Sequence, residues 1–322
     1  MKALRLEGVG QLALRDVEPP APGPGEVLLR VGACGVCGTD RHLLHGEFPS
    51  TPPVTLGHEF AGVVEAVGEG VDLPLGALVT GDPNVPCGLC APCRRGRVNL
   101  CERNRPIGIA RDGGFAERVV VPVAQAHVVP HAVGAEAAAL AEPLACTLHG
   151  LDLARVVPGM DVTVLGGGVI GLMAVRLAVL AGARVRLVTR SRAKQDLGLA
   201  LGAAEAVAAT EAQADVVLEC AGVPETVAQG PRLARAGGTV VLLGVLPAGA
   251  RVPFEPFDLV FREVAVLGSF VNPFTHARAA ALIASGALNV APLISRRLPL
   301  EEAAEAIASP PRPGEVRALV VP

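Results

Sequence analysis

DVTVLGGGVIGLMAVRLAVLAGARVRLVTR, residues 161–190, decides the fold of the second half of this chain. A short apolar run ends in three consecutive glycines. A long apolar segment follows, then a pause at Ala181-Gly182, then a second short run up to Val188. The pattern reads as strand, glycine turn, helix, strand, which is one βαβ unit. Gly166, Gly168 and Gly171 fit G-x-G-x-x-G. In a chain with 38 glycines the motif alone says little. Here it follows a strand and opens a helix, the context it requires. Such glycines let the backbone approach a pyrophosphate, and the helix N-terminus favours its negative charge. Gly166, Gly168, Val169, Ile170 and Gly171 are therefore candidate dinucleotide contacts.

The end of the second strand bears on which dinucleotide. An acidic residue about twenty positions after the glycines would bind ribose hydroxyls and point to NAD. Thr189 stands there instead, followed by Arg190, Ser191, Arg192 and Lys194. A carboxylate would repel a 2′-phosphate, whereas hydroxyl and cationic groups bind one. Thr189, Arg190, Ser191 and Lys194 thus favour NADP, with NAD still possible. The plain alternative is a solvated basic turn.

Outward from this unit, ADVVLECAG (214–222), GGTVVLLGV (237–245) and EVAVLGSF (263–270) read as further strands. PETVAQGPRLARA (224–236) reads as helix, and LGAAEAVAATEAQAD (201–215) as abbreviated turns. Before it, EVLLRVGAC (26–34) and FAGVVEAVGEG (60–70) belong to antiparallel β structure extending to about Val129. From Gly134 the texture changes to alanine-rich helix, and VRALVVP (316–322) closes the chain as a strand. At 322 residues the chain is too long for one ordinary core, so two domains are expected. A net charge of −3 argues against nucleic acid or an anionic membrane as partner. Arg94, Arg95 and Arg97 read as a solvated loop face. No apolar run suggests a membrane span, and the N-terminus alternates like a strand rather than a signal peptide. A cytoplasmic location is expected, where thiols stay reduced. The eight cysteines then read as ligands or core residues.

Cys87, Cys90, Cys93 and Cys101 lie in CGLCAPCRRGRVNLC, whose Gly, Pro, Arg and Asn residues do not form a core. Four thiolates at this spacing can close a tetrahedron around Zn²⁺, a structural site with no open position. A second group starts in CGVCGTDRHLLHG, residues 34–46. Cys37 could be half of a redox dithiol with Cys34. GHEFAG (57–62) adds His58 and Glu59, and EPL (142–144) adds Glu142. One thiolate, one imidazole and carboxylates suit a zinc with an exchangeable position.

CGVCGTD (34–40), GHEFAG, the four-cysteine loop, DGGFAE (112–117), EPL, GGGVIG and ECAGVPE (219–225) follow one another in this chain. In that order they resemble the zinc-dependent medium-chain alcohol/polyol dehydrogenases, in the sorbitol/threonine dehydrogenase-like branch, over nearly the whole length. The resemblance implies an α/β architecture: a GroES-like β-rich catalytic domain at 1–144, with 271–322 returning to it, and a Rossmann domain with a doubly wound parallel sheet at 145–270. It implies catalytic zinc on Cys37 and His58, with Glu59 and Glu142 as ligands or exchanging with water. Two zinc ions per subunit follow. Asp40 would orient His58, and Thr39 and His45 would relay the alcohol proton. The implied partners are a small alcohol or polyol and a second copy, as homodimer or homotetramer.

The reaction expected is hydride transfer between a secondary alcohol, a polyol or sugar alcohol, and NADP(H). Alternatives are an NAD-dependent threonine- or butanediol-type dehydrogenase, a zinc-free quinone reductase of the same fold, and a zinc-bearing redox or metal-sensing binding protein. The last would need neither the glycine turn nor Glu142.

Overall fold

The structure, a computed structural model, describes all 322 residues, Met1–Pro322. The chain divides into two compact units. The first comprises Met1–Glu142, His276–Pro311 and Arg317–Pro322, and the second Pro143–Thr275 with Arg312–Val316.

The first unit is β-rich. Its strands are β1 (Lys2–Gly8), β2 (Gln11–Asp16), β3 (Glu26–Gly35), β4 (Val54–Thr55), β5 (Glu59–Val67), β6 (Leu78–Gly81), β7 (Arg118–Pro122) and β8 (Ala126–Val128). In the second unit follow β9 (Asp161–Leu165), β10 (Arg184–Val188), β11 (Glu205–Val207), β12 (Ala214–Glu219), β13 (Ala234–Leu242) and β14 (Ala265–Gly268). The last two strands, β15 (Ile294–Leu298) and β16 (Arg317–Val320), return to the first unit.

β2, β1 and β4 form a small antiparallel sheet. The larger sheet runs β15–β16–β3–β5–β6–β8, with β7 also on β3. Its inward face, β1 of the small sheet and the neighbouring loops bury Leu4, Leu29, Phe60 and Phe115 in one core. Phe60 needs space from two glycines: a Cβ at Gly81 would lie 2.3 Å from its ring and one at Gly114 2.6 Å from its Cβ.

The second unit carries a six-stranded, all-parallel sheet in the order β11–β10–β9–β12–β13–β14. β9 and β12 are nearly continuous buried runs, as expected for strands covered on both faces. The helices Val169–Leu180, Arg192–Ala200 and Pro224–Leu233 make the crossovers. The winding reverses between β9 and β12, the point at which such sheets bind ligands beyond their carboxyl ends. This is the GroES-like plus Rossmann architecture that the resemblance implies.

Two local expectations are corrected. Within the supposed turns of 201–215, β11 adds a strand beside β10, pairing Leu187 with Ala206. Three residues are too few to show a period. The helix expected over 224–236 stops at Leu233, because Ala234 already pairs with Ala214 in the sheet. No helix is long and apolar enough to cross a membrane.

Candidate functional site

Register between β3 and β5 assembles the first group. Gly35 pairs with Glu59 across the two strands. Cys37 follows β3 by two residues and His58 precedes β5, so the pairing brings their side chains together. The ligand atoms of Cys37, His58 and Glu59 all lie within 4.8 Å of one another. The approach is close enough to demand glycine. A Cβ at Gly35 would sit 2.2 Å from Glu59 Oε2, and one at Gly57, where φ is +97°, 2.6 Å from the Phe115 nitrogen.

Cys37 begins the helix Gly38–Leu44, and its backbone N–H donates to Asp40 Oδ2 at 2.8 Å. Asp40 is fully buried and holds its other oxygen 3.5 Å from His58 Nδ1. Burial alone would push the His58 imidazole down. The charges of Asp40 and Cys37 more than offset this and hold it well above its usual value. Asp40 Oδ1, His58 Nδ1 and Glu59 Oε2 are buried without a hydrogen-bond partner. Thr39 Oγ1 lies 3.7 Å from Cys37 Sγ. His45 is exposed at the end of the same helix, outside the group. Glu142 is buried on the helix Ala141–Ala154 but does not join the other three within 4.8 Å.

Arg317, which no motif of the sequence marks, completes the group. β16 pairs with β3 beside Gly35 and brings the buried guanidinium to 3.1 Å from Glu59 Oε1. A second nitrogen donates to the Val36 carbonyl. Its charge partners include Cys37 and Glu142 as well as Glu59. The available signal was one arginine heading the otherwise apolar run RALVV.

The second group is Cys87, Cys90, Cys93 and Cys101, whose sulfurs also lie within 4.8 Å of one another. Backbone amides are aimed at them: Cys87 N–H donates to Cys101 Sγ at 3.2 Å, and Arg103 N–H at 3.4 Å. The amides of Leu89 and Cys90 hold the Cys87 thiol down to about 6, while burial and the neighbouring Cys90 push Cys93 up to about 12.

Residues 23–131 match the alcohol dehydrogenase GroES-like domain family, and residues 169–285 match the zinc-binding dehydrogenase family. D-altritol 5-dehydrogenase from Agrobacterium fabrum is 34% identical over 94% of each chain. This chain belongs to the zinc-dependent medium-chain alcohol/polyol dehydrogenases. A protein described as a zinc-binding dehydrogenase from Sinorhizobium meliloti 1021, solved bound to NADP, is 55% identical with a TM-score of 0.97, covering 100% of this chain and 99% of that one. An E. coli CFT073 protein described as a short chain alcohol dehydrogenase, solved with NADH, is 27% identical with a TM-score of 0.92 over 100% and 99% of the two chains.

In the dehydrogenase's second unit the glycine turn lies between β9 and the helix Val169–Leu180. Gly166 has φ +108°, which favours glycine. A Cβ on Gly171 would come 1.9 Å from the Gly166 carbonyl oxygen. Gly168 caps the helix with open space where its Cβ would be. The positions 166–171 therefore leave room for a phosphate at a helix N-terminus. A Cβ on Gly167 would lie 2.8 Å from Thr189 Oγ1 and 3.1 Å from Lys194 Cβ, so the turn and the basic segment adjoin. Ser191 caps the helix Arg192–Ala200, Arg190 is exposed, and Lys194 is half-buried. Burial pushes the Lys194 ammonium down, against the opposing charge of Glu315.

Arg317→Met tests the buried pair. Removing one partner strands Glu59, which costs about 3–5 kcal/mol in such settings. Denaturant unfolding of metal-stripped protein should show this loss, and Arg317→Met combined with Glu59→Gln should restore most of it. An equal loss in both variants would mean that Arg317 acts elsewhere.

Proposed function

We propose that this dehydrogenase transfers hydride between a secondary alcohol of the polyol or sugar-alcohol class and NADP(H), using one catalytic zinc on Cys37, His58 and Glu59 and one structural zinc on Cys87, Cys90, Cys93 and Cys101. The observation that carries the reading is the first group: thiolate, imidazole and carboxylate donors within 4.8 Å, with a buried Glu59 oxygen lacking any partner. That donor set fits zinc with an exchangeable position, and the four thiols fit a closed one. When bound, zinc supplies Lewis-acid polarisation of an alcohol oxygen, and the nicotinamide supplies the hydride acceptor.

The remaining work falls to side chains of the chain. Cys37 and His58 hold the metal, and Asp40 fixes the His58 ring through Nδ1. Glu59 is held by Arg317 on one oxygen and keeps the other for the metal. Glu142 is the exchanging carboxylate, farther from the group and felt by Arg317. The Thr39 hydroxyl would accept the alcohol proton while releasing its own, which passes through the cofactor ribose to exposed His45.

The backbone of Gly166–Gly171 receives the pyrophosphate. Arg190, Ser191 and Lys194 receive the adenosine 2′-phosphate, where Thr189 replaces the usual carboxylate. The NADP found in the Sinorhizobium meliloti relative supports that choice, and the relative named D-altritol 5-dehydrogenase supports a polyol.

The assembly belongs to the same reading. β14 ends the parallel sheet with one edge unpaired by this chain, and an unpaired edge invites another strand. Beside it in sequence, the helix Pro256–Phe261 exposes Phe257 at 73% and Phe261 at 79%. A second copy covering this face gives a homodimer or a dimer of dimers.

Three measurements test the proposal. Elemental analysis of protein purified without chelator should give two zinc ions per chain. Cys37→Ala should lose one of them together with turnover. Cys93→Ala should lose the other and mainly lower stability, and a single zinc in the wild type would remove one site. Arg190→Ala should raise KM for NADP about tenfold or more, since a charge-assisted hydrogen bond contributes about 1.5–3 kcal/mol. KM for NAD should hardly move, and a wild-type kcat/KM higher with NAD would reduce the basic turn to a solvated surface. Sedimentation at micromolar concentration should show dimers or larger, and monomer alone would contradict the shared edge.

A further inference from the structure

Glu219 ends β12, next to the point where the sheet's winding reverses. β9 and β10 bear the glycine turn and Thr189, which serve the adenosine half of a dinucleotide in such folds. The β12–β14 half remains for the other mononucleotide, the one with the nicotinamide.

The Glu219 side chain is 0% exposed. Its Oε1 accepts hydrogen bonds from the Ala221 N–H at 2.8 Å, the Gly222 N–H at 2.9 Å and the Thr226 hydroxyl at 2.7 Å. Its Oε2 has no partner. Two backbone N–H groups and a hydroxyl all donate to Oε1, contacts that favour the charged form of a carboxyl. Its only compensation is dipolar: the two amides, the hydroxyl and the N-terminal end of the helix Pro224–Leu233. No Lys, Arg or His forms an ion pair with it.

The carboxylate also sits where three turns meet. A Cβ on Gly166, after β9, would lie 2.9 Å from the Ala221 nitrogen, in the turn after β12. A Cβ on Gly244, after β13, would lie 2.2 Å from the Gly222 nitrogen and 2.6 Å from Glu219 Oε2. The charge is thus enclosed by the loops at the carboxyl ends of β9, β12 and β13.

We infer that Glu219 is a fixed buried anion under the nicotinamide half of the cofactor site, and that it favours the oxidised cofactor, whose ring is cationic, over the neutral reduced form. The inference rests on the nicotinamide-cofactor reading above. It makes Glu219 a positioning residue for the turns and a determinant of the ratio between the two redox forms. In a medium of effective dielectric near 20, two unit charges about 10 Å apart still shift an equilibrium roughly tenfold. A role confined to holding the turns would move both forms together.

Calorimetric titration of the zinc-loaded enzyme separates these roles. Wild type, Glu219→Gln, Glu219→Asp and Glu219→Thr are each titrated with NADP⁺, NADPH and 2′-phospho-ADP-ribose, which lacks the nicotinamide. The NAD forms are run in parallel, so that an error in phosphate preference leaves the redox ratio readable. Glutamine keeps an acceptor for the three donors and removes the charge. Its Kd for the oxidised form is expected to rise about three- to tenfold, while the reduced form and the nicotinamide-free ligand change by less than about twofold. Aspartate should keep the wild-type ratio, and threonine, a second neutral variant, should lose it. Parallel weakening of all ligands, or no change in any, would overturn the inference and leave Glu219 an anchor of the turns. Failure of the wild type to bind any of these ligands would overturn the cofactor reading itself.

Discussion

Cys37, His58 and Glu59 place three metal-ligand atoms within 4.8 Å of one another, and two of the three residues are buried. Much of the first unit answers to that constraint. An unpaired buried polar atom costs about 1–3 kcal/mol, and Glu59 Oε2 is one, while Asp40 Oδ1 and His58 Nδ1 face each other at 3.5 Å. A cation met by the thiolate, the imidazole and the carboxylate offsets that cost, which ties the fold of this region to the metal. The surroundings are built to the same end. Gly35 and Gly57 leave room for the carboxylate and for the Phe115 backbone. Arg317 comes in on the last strand, far away in sequence, to neutralise one oxygen of Glu59.

The second unit solves a different problem with similar means. A dinucleotide needs backbone to approach phosphate, and the glycines at 166, 168 and 171 allow it without side-chain obstruction. The turns that follow β9, β12 and β13 are then in mutual contact and need an internal anchor. Glu219 provides one by binding two amides and a hydroxyl through a single oxygen. Glu59, Arg317 and Glu219 thus sit at strand ends, where the sheets' rigidity fixes them.

The sequence disclosed these features unevenly. The glycine turn was legible because its residues are consecutive and lie in an obvious strand–helix context. The four-cysteine loop was legible because its spacing is local. The joining of Cys37 to His58 and Glu59 was legible only as a matching set of donor types, with a redox dithiol open beside it, since it is made by strand pairing between residues twenty and more positions apart. Arg317 left almost no trace: an arginine at the start of an apolar strand is ordinarily a solvated end, whereas here β16 lies between β15 and β3 and the residue is buried. Glu219 stood within a quoted motif, yet nothing local showed that it would be fully buried without a cation. β11 was too short to show any period.

The central claim is that the Cys37 group holds zinc in a dehydrogenase that binds a nicotinamide dinucleotide. Crystals grown with zinc and NADPH, measured on both sides of the zinc absorption edge, test it most directly. The account predicts two anomalous peaks per chain, one among Cys37 Sγ, His58 and Glu59 and the other among the four cysteine sulfurs, with the cofactor pyrophosphate over Gly166–Gly171. A peak only at the four cysteines, with the Cys37 group metal-free at full cofactor occupancy, would contradict it.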